Sequence, residues 1–243
     1  MLKDVTAVTV VYNTKSLFER AYTSFHRFYP EMKMVIVDNS DSLNPCAKYI
    51  QSLKSENTLV IAPGRNIGHG PGMDIGLKQV RTKYAVVFDS DTQIMRGCVG
   101  KMCDMMRADS FGVGKIVKVD PNGQNEKQLY SGLPRKRTTN YSNTKALKYY
   151  RLYAAPKRKT AIPYLHPYFH LVSVAAYLRL KPYIDHGAPC LATMSQIFNM
   201  GLSDKMLLEF PVEKYVIHRW RGTRRNDYSP YKFIKRKKRM LWT

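Results

Sequence analysis

Between residues 5 and 89 the chain makes four short apolar runs rich in β-branched residues, each closed by polar or turn-forming residues. They are "VTAVTVVY" (5–12), "KMVIVDNS" (33–40), "TLVIA" (58–62) and "KYAVVF" (83–88). Each is far below the roughly 20 residues of a membrane span, and each has the length and composition of a buried strand. The segments between them have helical spacing. In "TKSLFERAYTSFHRFYP" (14–30), Leu17, Ala21, Ser24 and Phe28 recur on one face, Thr14 stands at the N-cap position and Pro30 marks the stop. Further helices are expected at 44–54, 72–81 and 97–107, the second of them entered from the glycine-rich stretch "PGRNIGHGPG" (63–72). Strand and helix in strict alternation predict an α/β fold: a mainly parallel sheet with helices on both faces. Ligands of such sheets sit beyond the carboxyl ends of the strands. Asn13, Asp38, Arg65, Asp89 and Asp91 all follow predicted strand ends, so they are expected on one rim.

The fourth run delivers "FDSD" (88–91), two carboxylates two residues apart at the end of a buried strand. Residues i and i+2 of an extended strand share a face. Carboxylates that close repel unless a cation lies between them or one takes a proton. A hard divalent ion with oxygen ligands, Mg²⁺ or Mn²⁺, resolves the repulsion and also holds phosphates. The alternative is a solvated turn with Asp89 capping the next helix. No GK[ST] follows the glycine stretch, so a P-loop is unsupported, and Gly68, Gly70 and Gly72 lack the dinucleotide-binding spacing.

Beyond residue 110, "FGVGKIVKV" (111–119) reads as a strand, "YLHPYFHLVSVAAYLRL" (164–180) as core, "GAPCLATMSQIFNMG" (187–201) as a helix ended by Gly201, and "EKYVIHRWRGT" (213–223) as a strand ending near His218. Net charge is +22, and its placement is uneven. Residues 131–160 hold nine Lys/Arg and no acid, residues 214–243 eleven against Asp227 alone, and the rest of the chain is close to neutral. Such windows attract polyanions: nucleic acid, an anionic membrane surface or a charged glycan. Tyr141, Tyr149, Tyr150 and Tyr153 among the bases of the first window suit a groove that tracks a phosphate backbone. Cys46, Cys98, Cys103 and Cys190 form no CxxC pair, which excludes zinc-ribbon and dithiol readings. With no signal pattern and no long apolar run, a cytoplasmic location is expected.

Taken together, "TVVYNT" (9–14), "VIVDNSDS" (35–42), "RNIGHGPGMDIGL" (65–77) and "YAVVFDSDTQI" (84–94) resemble the nucleotide-sugar half of family 2 glycosyltransferases, which have the Rossmann-like GT-A fold. The later "YLHPYFHLVSVAAYLRLKPYIDHGAPC" and "YVIHRWRGT" resemble the second half of small phage and bacterial members. The resemblance implies one GT-A domain, with residues 1–110 binding a nucleotide-sugar, a UDP-sugar first among them. Residues 111–243 would bind the acceptor through the basic loop and tail. It implies that Tyr12 and Asn13 pack on the base, that Asp38 hydrogen-bonds base or ribose, and that Arg65 and Asn66 touch the nucleotide. Asp89 would face ribose and metal, Asp91 would ligate a diphosphate-bound Mn²⁺ or Mg²⁺, and His218 stands where some relatives place a third ligand. Asp74 departs from the family, where Asn is frequent.

An acceptor hydroxyl needs a general base. Asp185, with His186 beside it, is the candidate; a helix cap is the other reading of Asp185. Charge makes DNA, hydroxymethylated DNA in particular, the preferred acceptor, with an anionic lipid-linked or cell-surface glycan next and the tail then contacting a membrane surface. A non-catalytic nucleic-acid-binding scaffold is the competing class. His166 and His170 are expected to be packed, and His26 and His69 have no partner nameable from sequence.

Overall fold

The computed structural model describes residues 2–119, 162–184 and 188–219. Asp185 and His186, the basic stretch 131–160 and all but the first residues of the basic tail lie outside the described residues. The elements are β1 (Val5–Val11), α1 (Lys15–Phe28), β2 (Met34–Asp38), α2 (Pro45–Ser52), β3 (Thr58–Ile61), α3 (His69–Lys78), β4 (Tyr84–Asp89), β5 (Thr92–Ile94) and α4 (Val99–Met105). There follow β6 (Gly112–Val119), β7 (Ile162–Ser173), α5 (Val174–Leu178), α6 (Leu191–Asn199), α7 (Ser203–Met206), β8 (Leu207–Glu209) and β9 (Val216–His218).

Among the described residues, seven strands form the main sheet in the order β3-β2-β1-β4-β7-β6-β8. The first four pair in parallel, β7 is antiparallel to both β4 and β6, and β8 is parallel to β6. Only β7 therefore runs against the rest. Each of β1 and β2 is buried along its whole length, as the continuous apolar runs require of central strands covered on both faces. One face packs on α1, α2 and α4 through Phe18, Phe25, Ile50, Val99 and Met102. The other packs on α3, α5 and α6 through Met73, Leu77, Val174, Leu191 and Met194.

The helix expected at 72–81 starts three residues earlier, so His69 to Gly72 are its first turn and not a loop. The reason is contact. A Cβ added at Gly72 would come 2.8 Å from Val10 Cγ1, and one at Gly76 would come 2.6 Å from Val8 Cγ1. The glycines let α3 lie directly on β1 and β2, and tertiary packing overrides their poor helix propensity. Thr14 does precede α1, but its hydroxyl makes no cap bond and lies instead 3.3 Å from Ser90 Oγ.

Opposite β6, strand β7 carries extra chain. Gly114 pairs with His170 and Ile116 with Leu165, so residues 166–169 form a bulge. Pro167, which has no N–H to give a ladder, sits inside it. All four cysteines are buried, and none forms a disulfide. Among the described residues no helix is long and apolar enough to cross a membrane.

Candidate active site

The parallel block sends the ends of β1, β2, β3 and β4 to one rim, and the loops that follow interlock. Asn13 takes up φ 53°, the left-handed region that non-glycine residues enter rarely. There its N–H donates to Ser40 Oγ (3.0 Å), its Nδ2 donates to Asp41 Oδ2 (2.8 Å), and its Oδ1 accepts from the Asp41 N–H (3.0 Å). Asn39 Nδ2 donates to the Gly68 carbonyl (3.0 Å), and the Gly68 N–H donates to Asn66 Oδ1 (3.0 Å). Asp38 is 3% exposed, and its Oδ1 accepts from the Ser40 N–H at 2.9 Å. Tyr12 is half-buried and Arg65 exposed.

Asp89 is the last residue of β4. Asp91 is not on the strand, as the i, i+2 reading expected, but in the turn after it. Thr92 Oγ1 donates to the Asp89 carbonyl at 2.8 Å, closing that turn, and β5 then leaves the main sheet. This short strand, invisible in the polar "TQI", pairs antiparallel with β9, Thr92 opposite His218. The carboxylates thus converge through a turn, and a residue far along the chain joins them. His218 Nε2 lies 3.1 Å from Asp91 Oδ1 and 3.5 Å from Asp89 Oδ2. One ligand-type atom from each of Asp89, Asp91 and His218 lies within 4.8 Å of the others.

Three side chains that sequence gave no role surround this cluster. His69, from the first turn of α3, puts Nε2 at 3.0 Å from Asp89 Oδ1. Tyr168, from the β7 bulge, stacks flat on the His218 ring, with centroids 4.8 Å apart and planes 5° apart. His166, 2% exposed, meets His218 edge-on at 6.1 Å. Because β7 runs against β4, its bulge overhangs the carboxyl end of β4, which no reading of the separate segments could show.

Burial alone pushes the Asp89 carboxyl up, but His69, His218 and His166 outweigh it and hold the group at about 2. Burial likewise pushes His218 down, and Asp91 and Asp89 reverse the sign, leaving it raised. His166, with burial dominant, falls to about 3 and stays a neutral ring. Two carboxylates facing an imidazole make a donor set of two oxygens and one nitrogen, which suits a divalent ion of the Mn²⁺ type.

Asp74 lies away from this rim chemistry. It is fully buried, its Oδ1 accepts from Tyr177 Oη (2.7 Å) and its Oδ2 from Lys78 Nζ (2.8 Å), tying α3 to α5.

The "Glycosyl transferase family 2" pattern matches residues 6–180, well over half of the chain. The chain belongs to glycosyl transferase family 2. No curated protein matches the sequence. Among solved structures, this family 2 chain is similar to the mannosyltransferase PcManGT from Pyrobaculum calidifontis in complex with GDP-Man and Mn²⁺. That likeness has TM-score 0.55 at 16% identity, over 86% of this chain and 55% of that one. It is also similar to S. aureus TarS 1-349 in complex with UDP-GlcNAc, at 0.55 and 16%, over 95% of this chain and 63% of that one. GalNAc-T7 with UDP, GalNAc and Mn²⁺ matches at 0.56 and 17%, over 90% and 44%. At these identities the likeness is one of fold, and it gives this family 2 member the GT-A fold. The chain spans 44% to 63% of the length of these structures.

Proposed function

We propose that the chain is a metal-dependent glycosyltransferase that moves a sugar from a nucleotide-sugar to an acceptor hydroxyl, with inversion at the anomeric carbon. The observation that carries this reading is the convergence of Asp89, Asp91 and His218 at the carboxyl rim of the parallel strands. The nucleotide-sugar and Mn²⁺ in the complexes of the similar structures agree with it. Asp89, Asp91 and His218 would hold Mn²⁺ or Mg²⁺, with the imidazole favouring Mn²⁺. The bound ion supplies Lewis-acid neutralisation of the charge that grows on a departing diphosphate.

The rest is work for the chain's own residues. Asp38, fixed by Ser40, accepts hydrogen bonds from base or ribose. Tyr12 packs on the base, and Asn13 locks the first two loops in register. Arg65 and Asn66 meet the nucleotide from the third loop. Asp185, or His186 beside it, takes the acceptor proton as the hydroxyl oxygen attacks from the face opposite the diphosphate. We favour a UDP-sugar as donor.

For the acceptor, the two basic windows favour a polyanion, and we take hydroxymethylated DNA first. An anionic lipid-linked or cell-surface glycan, with peripheral membrane contact, is the second reading, and the same charge favours it. The test is transfer of labelled sugar from UDP- and GDP-sugars, with Mn²⁺, to hydroxymethylated DNA, plain DNA and lipopolysaccharide. Replacing Asp91 by Ala is expected to lower turnover about 100-fold or more while acceptor binding persists. An equal transfer rate in Asp91→Ala removes the metal-dependent mechanism, whereas no transfer by wild type to any acceptor, with acceptor binding unchanged in Asp91→Ala, leaves a binding scaffold. Label on glycan but never on DNA reverses the order of acceptors.

A further inference from the structure

Building on the reading of Asp89, Asp91 and His218 as a cation site, we propose that His69 is the positioning residue of Asp89: it holds Oδ1 so that Oδ2 alone turns toward His218 and Asp91. The backbone of Asp89 is fixed by its pairing with Val10 of β1, so only side-chain torsions are left to settle. Two imidazoles divide its carboxylate. His69 Nε2 stands 3.0 Å from Oδ1, and His218 Nε2 stands 3.5 Å from Oδ2. A carboxylate cannot donate, so the His69 nitrogen facing it is the protonated one. Oδ1 is sealed from solvent and has no well-aligned hydrogen bond, so it is the N–H dipole of His69, 3.0 Å away, that draws it. The low carboxyl pKa of Asp89, to which His69 contributes, agrees with that attraction.

His69 is itself held firmly. Gly68, just before it, has φ 103°, which a residue with a Cβ would rarely adopt. Asn39 and Asn66 grip the backbone of Gly68. One turn further on, Gly72 lies against Val10, the residue that pairs with Asp89. Helix, strand and carboxylate thus form one rigid unit, and the ring at position 69 is aimed by the close approach of α3 to β1. His166 is no substitute, because its ring meets His218. Carboxylates that bind ions are usually oriented by such outer partners, and losing one weakens binding about 10- to 100-fold.

The experiment is a Mn²⁺ titration of the full chain with no nucleotide present, read by the electron paramagnetic resonance signal of free aqueous Mn²⁺. Wild type, His69→Phe and His69→Gln are compared, and thermal unfolding of each is followed without metal. His69→Phe fills the space but offers no N–H, and it is expected to bind Mn²⁺ about 10- to 100-fold more weakly. His69→Gln offers an N–H and is expected to recover most of the affinity. Where His69→Phe does not fold, His69→Met takes its place with the same expectation. Wild-type affinity in the Phe or Met variant overturns the proposal, as does a Gln variant as weak as Phe. A wild-type chain that binds no Mn²⁺ overturns the cation-site reading itself, and this proposal with it.

Discussion

Asn13 is the residue on which the geometry of the first two loops turns. Its left-handed backbone directs the side chain back to Asp41, and the two exchange a pair of hydrogen bonds. Two substitutions separate backbone from side chain. Asn13→Gly keeps the conformation and loses the pair, whereas Asn13→Ala loses the pair and strains the backbone. Both are expected to lower stability by about 1–3 kcal/mol. Alanine should fall below glycine by about 1 kcal/mol. Thermal melts order the three proteins, and an alanine variant at least as stable as the glycine one removes the strain account. Both variants should also raise KM for the donor more than they lower kcat, because the loop is loosened and the reacting atoms are untouched.

Among the elements, α3 is the one whose packing matters most to the site, because it carries His69 and lies on β1. Its glycines are contact surfaces. A methyl group at Gly76 would press on Val8 Cγ1 at 2.6 Å and on Val37 Cγ2 at 3.2 Å. Gly76→Ala is therefore expected to destabilise by about 1–3 kcal/mol despite the better helix propensity of alanine. Val8→Ala opens the space that the new methyl needs. The double variant should be more stable than the sum of the two single changes by at least about 1 kcal/mol. Urea unfolding of the four proteins gives the coupling directly, and strict additivity contradicts the close approach. The β7 bulge is the second element that shapes the site: its extra residues bring Tyr168 flat onto the ring of His218.

At the scale of the molecule, acid stability follows from an imidazole buried in the second core. His170 is fully buried in β7, its Nε2 3.1 Å from Tyr183 Oη, and burial pushes its pKa down to about 4. In the unfolded chain the ring protonates below about pH 6.5. Between these values the unfolded state binds the extra proton, so stability rises with pH. It should be fully present above about pH 6.5 and lost progressively toward pH 4, by as much as about 3 kcal/mol. Denaturation midpoints of wild type and His170→Gln at pH 7.5, 6 and 5 check this. The variant should lose less stability across the range, and parallel curves would assign acid sensitivity to other groups.

The sequence by itself determined the α/β order, because apolar runs of strand length alternate with helical spacing and leave few ways to bury both. It also determined which residues meet at one rim, because parallel strands must end their carboxyl termini together: Asn13, Asp38, Asp89. What it could not supply is contact across the fold. The start of α3 at His69, the turn that brings Asp91 back to Asp89, and the β5–β9 pairing that delivers His218 all depend on groups distant in sequence. So does the bulge that places His166 and Tyr168. Local pattern reports which face of an element is apolar. Only the assembled sheet, with one strand reversed and a helix pressed to its glycines, decides which polar side chains are left facing one another.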